Sequence, residues 1–170
     1  MIIKNKTVVN DDWYVLRLGE SDTPETVQMP TGKIIVPLQV WQAQRDTLQA
    51  RAQLGVWLGS AERAEDLQHD LGRFAVIAVD FPKFADGRGY SIAYHLRVRL
   101  GYQGELRAIG DVLRDQMFYM QRAGFDAFAP RADKDIHEAL KGLSDFSVTY
   151  QASADEAQPL FRRVSRRGQP

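Results

Sequence analysis

The residues best suited to chemistry lie between Asp80 and Asp115. Within that stretch, Asp86-Gly87-Arg88-Gly89-Tyr90-Ser91 sets two glycines around an arginine, just where an amphipathic pattern begins. Glycine lets the backbone turn tightly and approach a ligand closely. A helix start offers unpaired N–H groups and the positive end of its dipole. Arg88 would add a planar donor fork for an oxyanion such as sulfite, sulfate, phosphate or a carboxylate. The spacing is neither a Walker loop nor a dinucleotide fingerprint. The same residues would equally make a plain strand-to-helix loop with Asp86 or Ser91 as its cap.

Four further residues join this list. Asp80 follows the apolar run Phe74–Val79, where ligands of parallel α/β folds gather. Arg107 lies inside a strand-like, largely apolar run, so it needs an acidic partner, with Asp80, Asp86 and Asp111 as candidates, or it faces water. Asp111 follows Gly110 and opens a helical pattern, which suits an N-cap. Asp115 would stand one turn above it, and the pair could work as acid and base or simply favour the helix dipole. His69, His95 and His137 fall on three different predicted helices with no metal-ligand spacing, so no metal site is expected.

The elements that must position these residues alternate. Apolar runs at Ile34–Val36, Gly55–Leu58, Phe74–Val79, Glu105–Ile109 and Phe125–Phe128 read as strands. Helical patterns are expected at about 38–53, 60–71, 90–100, 111–124 and 135–143, and Ser147–Tyr150 reads as a further short strand. Short connections between alternating elements predict an α/β fold: a parallel βα-repeat domain of about four units, as an open layered sheet or a half-barrel. Thr7–Val9 and Trp13–Leu18, separated by Asn10-Asp11-Asp12, suggest an N-terminal β-hairpin. The expected organisation is therefore one α/β domain over 1–150, comprising a hairpin region (1–33) and a βα core (34–150), with a polar basic tail over 151–170.

Composition narrows the function. Lys plus Arg and Asp plus Glu are each 22, a balance that argues against a general grip on nucleic acid or anionic membrane. No apolar run reaches membrane-spanning length, and the N-terminus lacks the apolar core of a signal peptide, so a cytoplasmic location is expected. With no cysteine, the chain has no thiolate for an iron–sulfur cluster and no Cys nucleophile. No cofactor motif is evident, although a flavin or nicotinamide stays open, as does the oligomeric state. The tail carries Leu160, Phe161, Arg162, Arg163, Arg166 and Arg167. It reads either as a solvated segment or as a docking peptide, with Phe161, Arg162 and Arg163 at the contact.

The run Phe84–Ser91 resembles the central signature of a bacterial family, domain of unknown function 934. So do Gly104–Leu113 followed by Asp115-Gln116, then Arg122–Asp126 and Pro159–Arg163. Members of that family are typically encoded beside the assimilatory sulfite reductase haemoprotein and are described as oxidoreductases of sulfite reduction. The resemblance implies a part in converting sulfite to sulfide for cysteine synthesis, with the haemoprotein as partner. It carries over no catalytic residue.

Overall fold

A computed structural model describes residues 1–163. Eight strands form one sheet: β1 Ile2–Lys4, β2 Thr7–Val9, β3 Trp13–Val15, β4 Lys33–Pro37, β5 Leu54–Leu58, β6 Val76–Phe81, β7 Glu105–Gly110 and β8 Ala127–Phe128. Their order across the sheet is β2-β1-β8-β7-β6-β5-β4-β3. From β3 to β8 all neighbours are parallel and follow chain order, while β1 pairs antiparallel with both β8 and β2. The helices are α1 Leu38–Ala43, α2 Arg45–Leu48, α3 Arg88–Tyr94, α4 Arg114–Ala123, α5 Ile136–Lys141 and α6 Leu160–Arg163. The fold is thus a mostly parallel half-barrel with an antiparallel N-terminal hairpin.

Sequential strand order puts every right-handed crossover on the same side of the sheet. Burial follows that rule. Ile34, Val36, Val56, Ile77, Val79, Leu106 and Ala108 face outward and pack with Trp41, Leu48, Ile92, Leu96, Met117 and Met120 of the helices. Their alternates Ile35, Val76, Ala78 and Ile109 form a second cluster on the inner face with Trp13, Val15 and Trp57. Because both faces are covered, Val76 to Val79 are apolar without a break.

The two edges of this sheet are consecutive stretches of chain. β2 and β3 point the same way, since β2 is antiparallel to β1 and β1 antiparallel to β8. Val9 and Trp13 are four residues apart, a reach of at most about 14 Å. A flat sheet of eight strands would hold its edges about 34 Å apart. The sheet must therefore curl so that its edges β2, paired with β1, and β3, paired with β4, come within reach of the three residues Asn10-Asp11-Asp12 that join them.

Several expectations change here. The hairpin is β1–β2 rather than Thr7–Val9 with Trp13–Leu18; its turn, Asn5-Lys6, has both residues at positive φ, the twist that two-residue hairpins favour. The helix expected over 38–53 breaks at Gln44, whose amide donates to the carbonyls of Pro24 and Val27 and holds that loop in place. The helix expected over 60–71 is two 3₁₀ turns, Ala64–Leu67 and Leu71–Arg73. Between them the Asp70 carboxylate is drawn inward to Arg45 and to the indole N–H of Trp41. Helix α4 starts at Arg114 rather than Asp111, and 147–150 is not a strand. No helix among the described residues is long and apolar enough to cross a membrane.

Candidate functional site at the strand ends

The carboxyl ends of the parallel strands make a rim of paired charges. Asp80, near the end of β6, accepts a 2.6 Å bond from Arg17, which comes two residues after β3. The Arg17 guanidinium lies 4.6 Å from the ring centroid of Trp57 on β5, within cation–π range. Three strand ends therefore meet in one contact. Gly110, at φ 90, is forced by this crowding: a Cβ there would lie 2.5 Å from the Phe81 carbonyl oxygen and 2.6 Å from Asp80 Oδ1.

Asp111 pins the loop after β6. Its Oδ2 accepts the Phe84 N–H at 2.9 Å and its Oδ1 accepts from Arg131 at 3.1 Å. The cap role expected of Asp111 goes elsewhere, since the helix begins later and Gln116 Oε1 accepts the Leu113 N–H instead. Gln116 also donates to the Phe84 carbonyl, closing the loop from the other side. Asp115 is an exposed first-turn acid of α4. Asp111 lies ahead of the helix, so the two carboxylates are not stacked by helical spacing.

The glycine loop is explained by packing as much as by access. A Cβ on Gly89 would lie 2.6 Å from the Phe81 ring, so this glycine seats α3 on β6; at Gly87 the space is open. Arg88 turns back on Asp86, donating from Nε at 2.9 Å and from Nη2 at 2.7 Å. That guanidinium holds the Asp86 carboxyl far below the usual carboxylate range. Arg88 itself stays largely exposed.

Arg107 is not on the rim. It lies in register with Ala78, below Asp80, and points into the barrel with 1% of its side chain exposed. Its partners are not the three aspartates expected but Glu105, at 2.7 Å from Nε, and both oxygens of Asp11 in the β2–β3 connection. Glu105 in turn meets Lys4 at 2.7 Å. The pleat explains this: residues 105 and 107 share the inner face, and the closing strand brings Asp11 over it.

Phe161, Arg162 and Arg163 form α6. Phe161 lies against Tyr150 with 6.5 Å between tilted rings, Arg162 lies over the Phe161 ring, and Arg163 bonds Glu156 and the Thr149 carbonyl. The segment before it is tied to α4: Arg122 pairs with Asp155, and the Arg122 carbonyl accepts from the Ser153 hydroxyl and the Ala154 N–H. This part of the expected tail is packed; Arg166 and Arg167 lie outside the described residues. Sequence reasoning missed Arg17 and Trp57, and the only signal was their position at strand ends. Among the described residues no three His, Asp or Glu side chains cluster as a metal would need.

The chain belongs to the family described as bacterial protein of unknown function (DUF934), whose model matches residues 55–161, from β5 into α6. No curated protein and no solved structure matches it.

Proposed function

We propose that this chain is an accessory protein of assimilatory sulfite reduction, docking on the sulfite reductase haemoprotein and acting with it in converting sulfite to sulfide. The observation that carries the reading is the surface beside α4. Tyr119, Phe146, Val148, Tyr150 and Phe161 are each more than half exposed, and Phe118 packs against Phe146 with 4.7 Å between ring centroids. Exposed apolar patches of this kind mark protein contacts, and aromatic residues with arginine are enriched in such interfaces. Arg162 and Arg163 border the patch. The choice of the haemoprotein as partner rests on the association that the family resemblance implies.

Sedimentation of the haemoprotein with this chain tests the proposal. A complex is expected, and replacing Tyr119 and Phe161 together by serine is expected to weaken it by about tenfold or more, the scale of an interface anchor. Absence of a complex in both the oxidised and the reduced state contradicts it. A second reading, oxyanion binding at the rim, draws support from the exposed Arg88 guanidinium; the anion would have to displace Asp86 from it. Calorimetry with sulfite, with Arg88→Ala as control, separates the two readings.

A further inference from the structure

From Ser144 to Arg163 the chain contributes no buried residue. Ordering such an arm costs backbone entropy that apolar burial normally offsets. Here Phe146, Val148, Tyr150 and Phe161 are all more than half exposed. What shapes the arm is polar and converges on one residue of α4. Arg122, whose side chain is 12% exposed, donates to Asp155 at 2.6 Å, to Thr149 Oγ1 and to the Gln151 carbonyl, while its own carbonyl accepts from Ser153 and Ala154. The arm is therefore held in place with its apolar side chains left for something outside the chain. Phe118 and Tyr119 of α4 and Phe146, Val148 and Tyr150 of the arm line an open recess of about 280 Å³. Recesses of this kind receive the anchoring side chains that dominate protein interfaces.

Charge narrows what fits there. Residues 157–170 hold four of the 22 basic residues and none of the 22 acidic ones, which leaves residues 1–156 at a net charge of −4. The chain is neutral as a whole but divided, with a basic end that begins beside the aromatic surface. Arg162 is exposed, lies over the Phe161 ring and has no ion pair among the described residues. Arginine beside an apolar recess complements an apolar side chain flanked by carboxylates. A nucleic acid, charged at every phosphate, would set its backbone against the negative body as well as the basic end. A second copy docked through the same face would bring like arginines together across its two-fold axis. A protein can place its carboxylates opposite the arginines alone.

We infer that the arm and α4 dock an acidic protein segment, one that inserts an apolar side chain into the recess and sets carboxylates against Arg162 and the arginines that follow it in the chain. This rests on the docking reading above for the surface, and it adds what the partner must present. Because the arm is already shaped through Arg122, little of it has to be ordered on binding.

Fluorescence anisotropy of labelled polymers with the full chain tests the inference. The probe is a random copolymer of glutamate and tyrosine, which carries carboxylates and rings; polyglutamate carries carboxylates alone, and oligo(dT) is the competing polyanion. The copolymer is expected to bind about tenfold more tightly than polyglutamate, the scale of one anchor. Raising NaCl from about 0.05 M to about 0.5 M should weaken it by about tenfold or more. Phe161→Ser should remove the preference for the copolymer, and Arg162→Gln with Arg166→Gln and Arg167→Gln should remove most of the salt dependence. No residue of the arm is buried, so both variants should keep the thermal midpoint of the parent chain. Equal binding of the copolymer and polyglutamate, tighter binding of oligo(dT) than of the copolymer, or a dimer in sedimentation that Phe161→Ser abolishes, overturns the inference. A haemoprotein complex that forms while the copolymer fails to bind overturns it too and leaves the docking reading standing. Copolymer binding as expected without a haemoprotein complex upholds the partner chemistry and removes the haemoprotein as that partner.

Discussion

Arg107 shows how one charged residue organises the barrel interior. A guanidinium in that position is tolerable only because Glu105 and Asp11 both meet it, and Lys4 completes the chain of charges. Replacing it by methionine leaves those carboxylates without their shared cation. The expected cost is about 3–5 kcal/mol, and part of it should return when Glu105 is replaced by leucine as well; urea unfolding of the single and double variants checks this. Tyr102 is buried with its hydroxyl on the Phe74 carbonyl at 3.0 Å. Burial is the main cause that raises its pKa well above the ordinary 10.0. Because the folded state favours the neutral phenol, this contribution to stability is intact below pH 10.0 and is lost as pH rises towards the folded value. A phenolate absorbance titration should show a late-ionising phase that narrows in Tyr102→Phe. The sequence marked Arg107 as needing a partner, but not which one, because Asp11 reaches it only through closure of the sheet.

At the scale of elements, the parallel strands β4 to β8 and the helices α3 to α5 were largely legible. Val76–Val79 reads as a doubly covered strand because it is one, and the helix expected over 135–143 is α5, with Asp135 as its N-cap. What periodicity could not supply was the pairing of the first strands. β1, β2 and β3 are three residues each, too short for a pattern, and the decisive turn is Asn5-Lys6 rather than a glycine turn. Asp111 likewise looked like a cap, and only the loop after β6 reveals that it holds Phe84 and Arg131. Gly110 is the most constrained point of the rim, with positive φ and backbone too close for a Cβ. Gly110→Ala should cost about 2 kcal/mol or more through strain and displacement of Asp80. Thermal unfolding checks this, with Gly87→Ala, where a Cβ meets open space, as the near-neutral comparison.

At the scale of the whole molecule, the features divide by location. The rim is a closed set of ion pairs, the barrel interior a buried charge chain, and the surface beside α4 an exposed aromatic face continuous with α6. The segment 149–163 is fastened to α4 through Arg122, so it extends that face rather than hanging from it. Removing residues 159–170 should leave the barrel folded and expose Tyr150 further, with a change in thermal midpoint much smaller than that of a core deletion. Its effect should fall on association instead. The most direct measurement is the rate of sulfite reduction by the purified haemoprotein, with its physiological electron donor, in the presence and absence of this chain. The expected result is a stimulation that disappears in Tyr119→Ser/Phe161→Ser and on removal of residues 159–170. An unchanged rate with an active haemoprotein, or stimulation that survives both changes, would contradict it.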